Sequence, residues 1–214
     1  MKTLIIDTAL GACTAVAAEG ARVVAAETED MGRGHQERLG GMVRAAMASA
    51  GWSFEDLDRI AVTTGPGSFT GLRVGLAFAQ GLGLALDRPV SGLSTLAALA
   101  RDAEPGAGEA VWALIDARRG QLYGQRVVDY APTDDPAALS IEDAAARISA
   151  EAGRVTLVGS GATLVAAEGA RAIDRAAPSP EALARLAADQ PRGEARPLYL
   201  RAPDAKLPGE RNPS

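Results

Sequence analysis

One cysteine and one histidine occur in 214 residues. A lone Cys13 closes no disulfide within the chain. It lies in an apolar run and reads as a small core residue rather than a nucleophile. His35 opens a helical pattern whose i+3 and i+4 positions are Arg38 and Leu39, so it has no second ligand on its own helix face. This shortage argues against a zinc site, and against Ser–His–Asp or Cys–His catalysis unless His35 acts alone. Only eight residues are aromatic, too few for a base-stacking platform. Lysine occurs twice against twenty arginines, a bias that makes any single arginine weak evidence. The net charge of −5 lacks the basic footprint of a stand-alone nucleic-acid binder, so a role with RNA would run through a partner. Long hydrophobic runs are also missing. Leu4-Ile5-Ile6 ends at Asp7, too short for a signal peptide. The stretch 74–86 is interrupted by Gln80 and stops at Asp87, short of the ~20 residues of a membrane span. The chain therefore reads as cytoplasmic and free of membrane.

What is present reads as an α/β plan in two unequal halves. Residues 2–8, Cys13–Ala18 and Arg22–Thr28 are strands at the spacing of an antiparallel meander. The period then changes. Leu39, Met42, Val43, Ala46, Met47 and Ala50 fall at helical spacing over 35–50, with Gly51 suited to the C-terminal cap. Gly40-Gly41 inside that helix costs about 1 kcal/mol per glycine against Ala, which calls for a compensating close contact. A strand over 59–64, a helix over 71–86, a short strand over 88–91 and a helix over 94–102 complete the first half. Ser94 is placed to cap the last of these.

Glu104-Pro105-Gly106-Ala107-Gly108 marks a boundary. Beyond it the pattern restarts with strands at 110–115 and 121–129, a helix at 140–151, a strand at 154–158, and helices at 163–169 and 179–189. The expected organisation is a lobe over 1–104, a second over 109–201, and a mobile tail over 202–214. Each half opens with a strand ending in an acid, Asp7 and Asp116. That is an α/β plan with mixed sheets flanked by helices.

Thr63-Thr64-Gly65-Pro66-Gly67-Ser68-Phe69-Thr70-Gly71 joins strand to helix. It reads either as an anion cradle at a helix start or as a tight structural turn. No lysine follows, as a Walker loop needs, and Thr70 stands where the third glycine of a dinucleotide fingerprint belongs. The spacing of Gly71, Gly75, Ala79 and Gly83 by four makes a smooth stripe about 18 Å long. Such a stripe suits close approach of another helix, either within the chain or across an interface. Asp7 and Asp116 read either as solvated strand-end acids or as remnants of a phosphate site. Thr8 follows the first acid, and Gly159-Ser160-Gly161-Ala162 comes late in the second half. Neither acid has the close glycine such a site uses.

Several of these segments together resemble one family. They are Leu4-Ile5-Ile6-Asp7-Thr8, His35-Gln36-Glu37-Arg38-Leu39, Thr64-Gly65-Pro66-Gly67-Ser68-Phe69-Thr70-Gly71-Leu72-Arg73, Ile115-Asp116-Ala117-Arg118, Gly159-Ser160-Gly161-Ala162 and Pro197-Leu198-Tyr199-Leu200-Arg201. In order along nearly the whole chain, they resemble the TsaB (YeaZ) proteins of bacteria. The resemblance implies the two-lobed actin-like (ASKHA) fold. It implies a non-catalytic subunit of the machinery that makes N6-threonylcarbamoyladenosine at position 37 of ANN-decoding tRNAs. The implied partners are a catalytic TsaD-type paralogue, a TsaE-type ATPase and, in isolation, a second copy of the chain, with tRNA met only through the complex. No cofactor is implied for this subunit, and ATP or ADP would act at the level of the complex. The paralogue's His-x-x-x-His metal site is replaced here by His35 and Leu39. His35, Leu39, Met42, Val43, Met47, Leu72, Gly75, Leu76, Ala79 and Leu82 are the expected partner surface. Asp7, Thr8, Asp116, Gly159 and Gly161 are the candidates for a residual nucleotide contact. Gly40-Gly41 and Ser160 depart from the family pattern. Two other readings compete: a small ATP-dependent phosphotransferase or peptidase-like enzyme acting alone, and an independent tRNA binder.

Overall fold

The computed structural model describes residues 1–31, 34–190 and 193–201. Lys2–Asp7 (β1), Ala12–Glu19 (β2) and Arg22–Asp30 (β3) form the expected antiparallel meander. Helix α1, His35–Ser49, follows. Arg59–Gly65 (β4) then pairs parallel to β1, and Val90–Ser94 (β5) pairs parallel to β4, with helix α2, Phe69–Leu86, between them. The sheet order is β3-β2-β1-β4-β5. Strand β1 is buried on both faces, and so reads as a contiguous apolar run rather than an alternation. On one face α1 and α2 bring Leu39, Val43, Met47 and Leu76 onto Leu4, Ile6 and Val62.

After helix α3, Thr95–Arg101, the plan repeats. Ala110–Arg118 (β6) and Gln121–Val128 (β7) form a hairpin, extended by Ala131–Pro132 (β8) and Ala137–Ser140 (β9) on β7. Helix α4, Ile141–Ser149, leads to Val155–Val158 (β10), parallel to β6, and Arg171–Ile173 (β11), parallel to β10. The core of this lobe gathers Trp112, Leu114, Leu122, Leu139, Ile148 and Leu157. Two meanders, each continued by two parallel strands across helical crossovers, make the two-lobed actin-like fold.

The last helix corrects the expected division at 109–201. Helix α5, Pro180–Asp189, lies on the first lobe's sheet, where Leu183 and Leu186 pack on Ile5, Val16, Ala61 and Leu93. The buried Arg59 of β4 donates to the Ala187 carbonyl of α5 and fixes it there. Helix α3 serves both lobes, with Ala97 and Ala98 in the first core and Leu96 and Leu99 packed on Val111, Ala113 and Val158 of the second. The helix expected over 163–169 is only a 3₁₀ turn, Ala162–Leu164, and β8, β9 and β11 escaped the periodicity. These three strands are two to four residues long, too short to carry a period. The tail expected over 202–214 lies outside the described residues.

Candidate functional site

The glycine-rich turn between β4 and α2 is a packing device. Its Ser68 N–H donates to the Ala9 carbonyl, and the Ser68 hydroxyl caps α2 by accepting from the Gly71 N–H. A Cβ on Gly67 would stand 2.3 Å from the Ala9 carbonyl oxygen, and one on Gly71 would stand 2.0 Å from that of Thr8. The Thr8 hydroxyl donates to the Gly71 carbonyl at 2.7 Å. Farther along, Gly75 faces Thr8 and Val62, and Gly83 faces Val90 and Arg88. The small-residue stripe therefore lets α2 descend onto its own sheet, not onto another helix.

This placement corrects the expected partner surface. Leu39, Met42, Val43, Met47, Leu72, Gly75, Leu76 and Ala79 are all buried inside the first lobe, and Leu82 is half-buried against the same core. They repeat at helical spacing because they are the inward faces of α1 and α2. His35 is not on the outer face either. It is 8% exposed at the start of α1 and lines the cleft between the lobes.

The outward face of α2 is where apolar residues remain uncovered. Ala77, Gly81, Leu84 and Ala85 are exposed, with Leu84 at 87%, and Val74, Phe78 and Leu82 are half-buried beside them. Thr70, Arg73 and Gln80 interrupt this face with polar groups. By length and composition the 18-residue α2 would be long enough to cross a membrane, yet its inner side is the cover of a sheet. Next to it the Gly40 position of α1 lies in van der Waals reach of the Phe78 ring, and a Cβ on Gly41 would meet nothing within 4 Å. Gly40 thus leaves a shallow step beside Phe78 of α2, and Gly41 faces open space. Sequence periodicity finds the buried side of an amphipathic helix. The signal for the outer face was the surplus of Ala, Gly and Leu at positions the inward stripe does not use.

A cleft of about 520 Å³ separates the lobes. Its walls include the β1–β2 turn (Leu10, Gly11), the α2 turn (Pro66 to Phe69), the β6–β7 hairpin (Asp116 to Arg118), Ser160, and the late stretch Leu198 to Arg201. Of the five candidates for a nucleotide contact, only Asp116 reaches this wall. Asp7 is wholly buried, its Oδ1 accepting from the Thr63 hydroxyl at 2.6 Å and the Ala9 N–H at 2.9 Å. Asp116 makes the same turn, accepting from the Arg118 N–H at 2.8 Å. Both acids close an Asx turn at the end of an equivalent strand, which accounts for their placement in both halves. Thr8 is buried under α2. Gly159 and Gly161 lie against the backbone of Leu114, and their N–H groups donate to the Ile173 and Leu114 carbonyls. Between them the Ser160 hydroxyl accepts from the Asp116 N–H and faces the cleft. Among the described residues, no three His, Cys, Asp or Glu side chains converge as a metal site would need.

Burial pushes the Asp7 carboxyl above its ordinary value, against the opposing Thr63 and Ala9 hydrogen bonds and the nearby His35. The native state thus binds this proton more tightly than the unfolded chain. The associated stability is present below the unfolded value near 3.8 and is lost as pH rises through the folded one. Asp7→Asn keeps an acceptor at Oδ1 and removes the charge, so the variant is expected to melt no lower than the parent at pH 7. Its relative stability should improve between pH 4 and pH 8, as read from thermal melts across that range. The Cys13 thiol is pushed up to about 11, by burial first and then by Asp7 and Glu29. In the folded protein it is expected to resist thiol reagents at pH 8 and to react only after denaturation.

Comparison with known proteins agrees with this architecture. Residues 23–185 match the family model described as TsaD: tRNA N6-adenosine threonylcarbamoyltransferase. The chain is 41% identical over 124 residues to the Escherichia coli tRNA threonylcarbamoyladenosine biosynthesis protein TsaB, across 58% of this chain and 53% of that protein. It thus spans about half the length of that relative. An uncharacterized Mycobacterium tuberculosis protein is 37% identical over 207 residues, across 95% of this chain and 93% of its own. The solved structure of YeaZ from Pseudomonas aeruginosa superposes with a TM-score of 0.76 at 29% identity, covering 92% of this chain and 99% of that one. A family model matched over most of the chain, a relative matched nearly end to end and a shared two-lobed fold agree: the chain belongs to the TsaB (YeaZ) family.

Proposed function

We propose that this protein is a non-catalytic subunit of the machinery forming N6-threonylcarbamoyladenosine at position 37 of ANN-decoding tRNAs. It acts by docking the outer face of α2, with the adjoining step of α1, onto a TsaD-type catalytic paralogue. The observation that carries this reading is the bare apolar face of α2 around Leu84, since exposed apolar area of this kind marks an interaction site. The cleft supports a non-catalytic role. Asp7 is sealed from it, and Asp116 holds its own hairpin. The acidic net charge supports contact with tRNA only through the complex. The same α2 face would pair two copies of the chain when the paralogue is absent, and a TsaE-type ATPase would join the assembly and bring the nucleotide.

Light scattering on size-exclusion fractions tests this. The isolated chain is expected to run as a homodimer, and an equimolar paralogue should convert it to a heterodimer, because both pairings use one face. A homodimer that persists beside an unbound paralogue would contradict the reading. So would turnover by the isolated chain that is lost on Asp7→Ala.

A further inference from the structure

We propose that the stretch Gly193–Arg201 is a noncovalent clasp that holds the two lobes at one fixed opening. The covalent connections between the lobes lie side by side at one end of the molecule. Residues 102–109 lead out of α3, and residues 174–179 lead back into α5. There Asp102 accepts from both the N–H and the hydroxyl of Ser179, and Arg101 pairs with Asp189 at 2.6 Å. Helix α3, packed on both cores, lies at this junction. Two adjacent connections around a shared helix make a hinge, and a hinge alone does not set the opening at the far side of the cleft.

The stretch Gly193–Arg201 supplies the missing tie. It leaves α5, which belongs to the first lobe, and runs along that lobe's edge. The Gly92 N–H of β5 donates to the Gly193 carbonyl at 3.0 Å, and the Gln80 side chain donates to the Ala195 carbonyl at 2.9 Å. The Leu198 N–H donates to the Thr64 carbonyl at 2.7 Å. The Tyr199 ring then packs on Phe69 with centroids 5.0 Å apart, and the Arg73 guanidinium covers the other ring of the pair at 3.7 Å from the Phe69 centroid. Finally the chain crosses the cleft. The Arg201 guanidinium donates to the Ala117 carbonyl and to Gln121 Oε1, both at 3.1 Å, on the β6–β7 hairpin of the second lobe. The path is shaped for close approach. A Cβ on Gly92 would stand 2.2 Å from the Glu194 carbonyl oxygen, and one on Gly193 would stand 2.3 Å from that of Gly92. Leu198 to Arg201 line the cleft mouth, so the clasp also fills part of the space a ligand would enter.

Arg201→Ala removes the foot on the second lobe, and Gly193→Val disrupts the anchor on β5. Spin labels at cysteines introduced for the exposed Ala21 and Ala146, one in each lobe, report the opening by pulsed dipolar spectroscopy. Dilution with unlabelled chain removes distances between copies. The buried Cys13 stays unlabelled. The parent is expected to give one narrow distance distribution, and each variant a broadened or displaced one, with Arg201→Lys falling between. The Gly92 amide should exchange at least tenfold faster in Gly193→Val, while the Ile5 and Val111 amides in the two sheets keep their protection in both variants. Parent-like distances in either variant, or parent-like Gly92 exchange in Gly193→Val, would overturn the clasp. The docking of α2 is read separately, from the pairing of the Leu84→Glu chain, in which the clasp residues are unchanged.

Discussion

Gly81→Arg combined with Leu84→Glu is expected to abolish pairing with the catalytic paralogue while leaving the fold of this chain intact. A Cβ on Gly81 would meet nothing within 4 Å, and Leu84 is 87% exposed, so neither change touches the core. At an apolar contact, however, both substitutions bury a charge, and even where the two pair with each other at i, i+3 the pair must be stripped of water. Loss of one central anchor costs about 2 kcal/mol or more, and the desolvation of the introduced charges adds to it. Affinity should fall at least about 100-fold, measured by titration calorimetry or analytical ultracentrifugation, with an unchanged circular dichroism spectrum. Homodimerisation should fall with it. Unchanged affinity in a folded variant would remove α2 from the interface.

A glycine series along the same helix is expected to split into opposite signs. Gly71→Ala should cost about 3 kcal/mol or more, because its methyl would be forced against the Thr8 carbonyl oxygen at 2.0 Å and backbone must move. Gly81→Ala has open space and should gain about 0.5–1 kcal/mol of helix propensity. At about 2–4 °C per kcal/mol for a chain of this size, the melting temperature should fall roughly 6–12 °C for the first and rise by up to roughly 4 °C for the second. Equal effects at both positions would mean that the stripe does not face the sheet. The series also separates the two consequences of one helix. Inward glycines are expected to govern folding, and outward positions pairing.

Much of the architecture was legible in the sequence. The meander, the switch to helical period at His35, the α/β repeat after Gly108 and the cap at Ser94, whose hydroxyl accepts from the Ala97 N–H, all follow from local patterns. What stayed hidden depends on three-dimensional placement. Helix α5 reads as part of the second half because it follows it in sequence, yet its apolar stripe is complementary to the back of the first sheet. The residues expected at the interface were chosen for being apolar at helical spacing. That criterion selects the buried face of any amphipathic helix, so it returned Leu39, Met47 and Leu76 and passed over the exposed Leu84 of the proposed docking face. Asp7 and Asp116 were recognised as equivalent strand ends, but a sequence does not show that each carboxylate closes a turn two residues on. The run Pro197 to Arg201 was visible as a motif, and its purpose became visible only with Arg201 seated on the opposite hairpin.

Reconstituted tRNA modification with purified components tests the central claim most directly. Threonylcarbamoyladenosine is quantified after nuclease digestion, with the catalytic paralogue and the ATPase present throughout. Modification is expected with the parent chain and with Asp7→Asn, and is expected to be lost both when this chain is omitted and when Gly81→Arg, Leu84→Glu replaces it. Full modification without this chain, or with the docking variant, would contradict the account.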